Sequence, residues 1–467
     1  MVMNYTRRNA IKTIVAFGAL APRHLHSKTK KLSPNSKLNI ASVGVGGKGW
    51  DDMRAVSDHG KRHNIVAICD IDQRNGGEQP PNLSGGQSRR ALGAGAARKM
   101  FPKAGVYEDF RLMLERKDID AITVTTADHM HATIAITAME LGKHVYVQKP
   151  LTQTIHESRV MRQVAAKTGV VTQMGNQGHS TVNYRCAVDV MRSGIVGKIR
   201  EVHAWTSSPS WKQGIARPDG SDPIPKGVNW DLWIGVAEPR PYLKHTYHNF
   251  NWRGWQEFGT GALGDMGCHI IDPAVWSLEL GSPTSVVAEV TGVAKETYPK
   301  ASTVHYRFPA TAHTAGKLDL YWHDGGNRVP KEYAGIVGRN SNGSLFIGEK
   351  GNVVLAHGSG IPRLYPSEEF LDYSRTTLKG LYAKYAAEKL DHYRVWTDAI
   401  LNGKQANSHF DYAAPLNETV MVGTIAQRLP GRMLKWSAPV LSFDDAEASA
   451  MVRRRYRKGW EIDALKG

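Results

Sequence analysis

Two side chains able to exchange a proton, Asp265 and His269, stand four residues apart in the stretch Gly261-Ala-Leu-Gly-Asp-Met-Gly-Cys-His-Ile-Ile-Asp272. If the stretch opens a helix, both fall on one face. A carboxylate beside an imidazole orients the ring and favours its charged form, so the two make an acid–base unit. The glycines around them leave the backbone bare enough for a ligand to approach. Taken alone, such a pair is more often a surface ion pair or a helix cap. His129 and His131 form a second cluster. No carboxylate or cysteine is spaced to complete a metal site with them, so no metal is expected.

The elements upstream supply a context. Leu38–Val43 is an apolar run that enters Gly44-Val45-Gly46-Gly47-Lys48-Gly49, and a helical pattern follows from Trp50 to about His59. G-x-G-x-x-G between a strand and a helix suits a dinucleotide. Its glycines allow a tight turn, close approach to a pyrophosphate and tight helix–strand packing, and the helix N-terminus faces the phosphates. A second strand, Asn64–Cys69, ends at Asp70, 21 residues past Gly49. That is near the spacing of a ribose 2′-hydroxyl partner. A carboxylate there repels a 2′-phosphate, so NAD is expected over NADP, with Arg74 as the neighbour that would argue the other way.

Residues 75–88 read as an inserted loop, rich in Gly, Pro, Asn, Ser and Gln. Helical patterns at about 89–99 and 107–116 lead to a strand at 121–125 and the turn Thr126-Ala-Asp-His-Met-His131. Asp128 could cap the helix that runs from there to about Leu141. The strand 143–147, the turn Gln148-Lys149-Pro150, a helix at 155–167 and a strand at 170–174 complete the half. Strands alternating with helices predict a parallel, doubly wound Rossmann sheet, which binds ligands at the carboxyl ends of its strands.

Past Gly175 the chain changes character. A helix near 180–193 and a strand at 199–207 open a long irregular stretch, and six of the twelve tryptophans fall between 205 and 255. Trp230 and Trp233 are expected to pack between domains. Trp252 and Trp255 lead directly into the Asp265 stretch, where flat faces beside a cleft suit sugar rings, and Arg253 can fork two hydroxyls or a carboxylate. From about 283 the pattern is β, with strands expected at 285–292, 302–309, 315–322, 333–338, 343–348 and 352–356. These predict an α+β domain with a large, open, mainly antiparallel sheet. Helices at 392–401 and 416–428 are expected to pack back towards the first domain.

Gly44–Gly49, Asp70, the turn 125–131, Gly142-Lys-His-Val-Tyr-Val-Gln-Lys-Pro150 and the Asp265/His269 stretch, in this order, resemble the Gfo/Idh/MocA family of oxidoreductases. The resemblance runs from residue 39 to about 436. It implies Lys149, Asp265 and His269 as the catalytic group. It implies Gly44, Val45, Gly46, Gly47, Gly49, Asp70, Thr126, His129, Gln148 and Lys149 around NAD. Together with Trp252 and Arg253, read above from the residues themselves, it places His131, Asn176, Gln177 and His269 around the substrate, and it implies a homo-oligomer. One departure is Gln148, where the family usually has Glu; the amide keeps hydrogen bonding but loses a charge near Lys149.

Composition bounds the rest. The net charge is +17, and residues 1–37 carry eight basic residues and no acid, leaving +9 for the remainder. That suits an anionic ligand and calls for no nucleic acid. Cys69, Cys186 and Cys268 lack the spacing of a zinc site or disulfide framework. Thr6-Arg7-Arg8 followed by a short apolar segment resembles a twin-arginine export signal. At nine residues that segment is too short to span a bilayer as a mature helix. The expected organisation is a signal and linker at 1–38, a nucleotide domain at 39–174, a substrate and oligomerisation domain at 175–436, and a tail at 437–467. The expected protein is a periplasmic enzyme that moves hydride from a sugar, glycoside or polyol hydroxyl to tightly held NAD. A glycoside-cleaving enzyme that oxidises its sugar only transiently is the first alternative, and a non-catalytic sugar-binding protein is the second. Lasting cofactor reduction, aglycone release without it, or binding that survives loss of Lys149, Asp265 and His269 tells the three apart.

Overall fold

The computed structural model describes residues 33, 35–74, 93–358 and 360–466. The export signal and the loop expected at 75–88 lie outside the described residues.

Six short strands of mostly buried residues form the first sheet: β1 (Asn39–Val43), β2 (Asn64–Cys69), β3 (Gly105–Tyr107), β4 (Ala121–Val124), β5 (His144–Val147) and β6 (Thr172–Met174). All pair in parallel, in the order β3-β2-β1-β4-β5-β6. Near-continuous apolar strands such as Ala121–Val124 are buried on both faces, as a sheet covered by helices on two sides requires. The strand order reverses between β1 and β4, which opens a crevice over their carboxyl ends.

The second sheet has nine strands: β7 (Ile199–Thr206), β8 (Ser285–Thr291), β9 (Ala301–Phe308), β10 (Thr314–Asp324), β11 (Asn342–Gly348), β12 (Asn352–Ala356), β13 (Arg363–Tyr365), β14 (Leu434–Ser437) and β15 (Ser442–Phe443). Their order is β13-β12-β11-β7-β10-β9-β8-β14-β15, antiparallel except for the β7–β10 pair. Helices Gly261–Ile270 and Phe410–Arg428 cover one face. They interlock through small residues: a Cβ on Gly267 would lie 3.1 Å from Leu263 and Val420. The other face carries half-exposed polar rings, among them His305 stacked on Tyr321 at 4.5 Å.

Two expectations are corrected here, and one element is added. Residues 333–338 form no strand; a 3-10 turn (Lys331–Tyr333) runs into a helix (Ala334–Val337). Tyr333, Ile336 and Val337 recur at helical spacing and pack with Trp205 and Val329, so the period of 3.6 wins over β-branched composition. The last long helix starts at Phe410, six residues earlier than expected, with Pro415 inside it. A proline that close to the start removes one backbone bond from the first turns, and Phe410, Ala413 and Ala414 are buried there. A helical run over 371–387 was not anticipated; only Leu378 and Tyr385 in it are buried, so it lacks an apolar stripe.

The two halves are sewn together. Trp396, Ile400 and Leu401 of helix His392–Asn402 enter the first domain's core beside Tyr146 and Ile40. Arg159 reaches the buried Glu418 at 2.6 and 2.9 Å. Among the described residues, no helix is long and apolar enough to cross a membrane, and no cluster of His, Cys, Asp and Glu could hold a metal ion.

Candidate active site

A cavity of about 620 Å³ runs along the carboxyl ends of β2, β1, β4 and β5 and is roofed by the second domain. Its floor is the glycine loop. Gly44 has φ +75°, and a Cβ there would come within 2.5 Å of the Thr125 carbonyl oxygen; one on Gly49 would meet Gly44 O at 1.8 Å. Only glycine fits at either place. Helix Lys48–Val56 begins at this loop with no side chain capping its first turn, so its free N–H groups and dipole are available to an anion. Asp70, at the end of β2, accepts from the Val45 N–H (2.8 Å) and the Asp72 N–H (2.9 Å). Burial raises its pKa, and the two N–H donors work against that. The residues present therefore fit a dinucleotide: a bare loop, an uncapped helix start and a fixed acid one strand over.

Lys149 stands at the opposite end, after β5. Its ammonium donates to the Asp265 carbonyl oxygen at 2.5 Å and to the Asp265 carboxylate at 2.9 Å. Arg253 donates to the same carboxylate at 3.2 Å. Burial works to raise the Asp265 pKa, but the two cations outweigh it and hold the group well below the usual carboxylate range. Asp265 and His269 do share one face of helix Gly261–Ile270, and both line the cavity. The expectation that the carboxylate orients and charges the ring is corrected. No hydrogen bond joins the two; burial first, then Lys149 and His357, push the His269 pKa well below its ordinary value. The ring is neutral at physiological pH. Its Nδ1 is buried without a hydrogen-bond partner, and the residue lines the cleft.

Several expected site residues have other duties. Val45 is fully buried under the loop, and its N–H holds Asp70. Gly49 is a packing glycine. Asn176 is fully buried, bonded to Asp272 (3.2 Å) and Ser408 (2.7 Å), and does not line the cavity. His131 lines it, but its ring nitrogens lie 2.9 Å from Pro150 O and 3.2 Å from Thr126 O. The ring is thus a brace between the two turns and has no free edge for a substrate. His129 is buried against Trp233 and Phe258, with Nε2 at 3.1 Å from Trp233 O, and burial lowers its pKa to about 3. Trp255 is sealed in an aromatic cluster with Tyr247 and Phe258, so it offers no face to a sugar. Asp128 caps no helix; its buried carboxyl accepts from Thr260 at 2.7 Å. A Cβ on Gly264 would strike that Thr260 hydroxyl at 2.0 Å.

Other expectations do converge on the cavity: Gly44, Gly46, Gly47, Asp70, Thr126, Gln148, Lys149, Gln177, Trp252 and Arg253 all line it. Arg253 is stacked on Trp252 at 4.3 Å and tied to Asp265, so its fork is partly spent inside the protein. Trp230 and Trp233 stack at 4.5 Å in the seam, as expected of packing residues. Arg74 binds Asp72 at 2.6 and 2.8 Å, which draws its charge to that neighbour.

The structure also adds residues. Asp52, fully buried, accepts from Lys48 (2.6 Å), Tyr393 (2.8 Å), Thr125 (3.0 Å) and Gln148 (2.9 Å). His357, 5.1 Å from His269 ring to ring, is lowered to about 4 by burial and then Lys149. Trp211, Phe250 and Trp460 line the cavity. A one-turn helical spacing from Lys48 hints at Asp52; nothing local marks His357 or Trp460.

Compared with known proteins, residues 38–176 match an oxidoreductase family with an NAD-binding Rossmann fold, and residues 188–363 match the C-terminal alpha/beta domain of the same family. Levoglucosan dehydrogenase of Pseudarthrobacter phenanthrenivorans is 28% identical over 183 residues, 39% of each chain. Inositol 2-dehydrogenase of Salmonella typhimurium is 25% identical over 167 residues, 36% of this chain and 45% of that protein. The match thus spans less than half the length of either relative. Among solved structures, the WlbA dehydrogenase of Bordetella pertussis, in complex with NADH and UDP-GlcNAcA, superposes with a TM-score of 0.57 at 16% identity. The superposition covers 86% of this chain and 99% of that one. A levoglucosan dehydrogenase with NADH and levoglucosan gives 0.53 at 18% identity, covering 84% of this chain and 97% of that one. At these identities the likeness is one of fold.

Proposed function

The chain belongs to the Gfo/Idh/MocA oxidoreductase family, and from that premise we propose that it is an NAD-dependent dehydrogenase acting on a hydroxyl of a sugar or polyol. One observation carries this reading. Lys149, pinned by Asp265 at 2.9 Å, and the neutral His269 line one cavity with the glycine loop and Asp70. A proton-accepting site and a dinucleotide cradle therefore face a shared space.

Bound NAD supplies the hydride acceptor. This chain's residues do the rest. Gly44 to Gly47 and the start of helix Lys48–Val56 take the pyrophosphate, and Asp70 takes the ribose hydroxyls while repelling a 2′-phosphate. A neutral His269 can accept a hydroxyl proton without first losing one of its own. Lys149 donates to the same oxygen and stabilises the negative charge that develops on it. Asp265 and Arg253 fix where that ammonium points. Trp252 offers an apolar wall to the same cavity. The relatives that carry the words levoglucosan and inositol in their names support a polyhydroxylated substrate.

The test is a panel of sugars, glycosides and polyols added to the protein with NAD, read by the absorbance of reduced nicotinamide. We expect lasting reduction with at least one of them, and a fall of about 10²-fold or more in Lys149→Met. A protein with no affinity for NAD, or one whose Lys149→Met variant turns over normally, would contradict the reading.

A further inference from the structure

We propose that residues 452–460 form a clasp on the adenosine end of the cofactor site, with Trp460 as its contact residue, and that this clasp sets how long the cofactor stays bound. The proposal rests on the NAD reading above and adds a segment that motif and fold leave without a role.

The direction of the cofactor follows from strand order. Lys149 stands after β5 and Asp70 after β2, with β1 and β4 between them. A dinucleotide whose reacting ring lies at Lys149 and whose ribose meets Asp70 must therefore end on the β2–β3 side. That is where Trp460 enters the wall of the cavity, together with Asp109 and Phe110, which cap and open the short helix Phe110–Leu114 after β3. Trp460 is 8% exposed and lines this space. Two guanidinium groups hold it, Arg111 at 4.4 Å and Arg457 at 5.3 Å from ring atoms' centroid. A large aromatic ring at the purine end of a cavity offers a stacking surface.

The segment that delivers Trp460 is fastened to both domains. On the first, the His156 N–H donates to Val452 O at 3.1 Å and the Tyr456 hydroxyl to Glu157 at 2.7 Å. Arg454 bridges the two domains, donating to Gln153 of the first and, at 3.0 Å, to Glu257 of the second. On the second, the Arg457 N–H donates to Val236 O at 2.9 Å and its guanidinium to Asp231 at 2.8 Å. Arg457 thus touches both the second domain and the Trp460 ring. Departure of the adenosine half past this wall requires the segment to shift, and each shift breaks contacts on two domains at once. The consequence is slow release, with little effect on the chemistry at Lys149, at the other end of the cavity.

The full-length protein is loaded with NAD, and release is timed by stopped-flow displacement with excess ADP-ribose; AMP binding is titrated separately. Trp460→Ala should release NAD about 10-fold faster or more, the usual scale of one lost base–aromatic stack. Trp460→Phe should stay within about 3-fold of wild type, since it keeps a ring. AMP, which lacks the nicotinamide half, should lose affinity for Trp460→Ala by a similar factor. Should Trp460→Ala not fold, Trp460→Leu, which keeps bulk and loses the ring, is judged by the same criteria. Wild-type binding of NAD with unchanged release from the variant would overturn the clasp and leave the dehydrogenase reading standing. A wild type that binds neither NAD nor AMP would overturn both.

Discussion

At the scale of single residues, the main surprise is how the charge at the site is distributed. Asp265 was expected to serve His269, and instead it serves Lys149 and Arg253. The imidazole is left neutral by burial and by neighbouring cations. This has a direct consequence for pH dependence. A general base works only when unprotonated, so activity falls as pH drops through its pKa. With that pKa well below 6.5, His269 should impose no acid limb near 6.5, and kcat/KM should hold down to distinctly acidic pH. A group that does titrate in the neutral range is Asp128, pushed up to about 7 by burial. We expect any break near pH 7 to disappear in Asp128→Asn. A break near 6.5 that survives in Asp128→Asn and vanishes in His269→Asn would restore the charged-ring picture. Linkage gives the matching stability effect. The folded pKa of Asp128 lies above the unfolded value, so its contribution is present at low pH and lost as pH rises through about 7.

At the scale of elements, Gln148 shows how a departure from the family pattern is absorbed. The residue ends β5 and donates its amide to Asp52 of helix Lys48–Val56 at 2.9 Å, and Asp52 has no exposure at all. A glutamate at 148 would set a second carboxyl against the first in a sealed space. The amide donates there at any pH, whereas a glutamate could donate only by staying protonated, so the lost charge near Lys149 goes with a carboxylate on the neighbouring helix. Gln148→Glu should cost about 2–4 kcal/mol of stability, the scale of a buried unpaired charge. Adding Asp52→Asn should recover part of it. Unfolding in urea of the two single variants and the double variant measures the coupling. Additive losses would show that the helix and the strand end do not communicate through this contact.

At the scale of the molecule, the site exists only because two domains close on each other, and the chain's last thirty residues help to hold them. Export and self-association belong to this scale, and both stand as proposals. The twin-arginine-like Arg7 and Arg8 and the basic, acid-free first 37 residues support export of the folded, cofactor-loaded protein. Fused to a reporter, residues 1–36 should deliver it to the periplasm only with both arginines intact; delivery by an Arg7→Lys, Arg8→Lys pair would remove the twin-arginine route. The half-exposed polar face of the nine-stranded sheet is the surface on which copies of the chain would meet, and light scattering of the exported protein would give a mass above 51.5 kDa.

The sequence by itself determined the local and the repetitive. Periodicity placed five of the six strands of the parallel sheet; it missed the three-residue β3, whose last residue, Tyr107, it read as the start of a helix and whose other two it left between helices. The glycine loop and Asp70 were legible because their roles depend on backbone conformation and on spacing along one strand–turn–helix unit. So was the pairing of Lys149 with the Asp265 stretch in one site, through motifs in a known order. Tertiary structure alone decided which group neighbours which. Asp265 lies 116 positions from Lys149 and only four from His269, yet bonds the distant one. His357 and Trp460 reach the site from strands and tails without any local mark, and Asn176 and Trp255 turn away from it. Hydrogen-bond partners and pKa values follow from distances and burial in space, and those are properties of the packed chain, which no periodicity along it encodes.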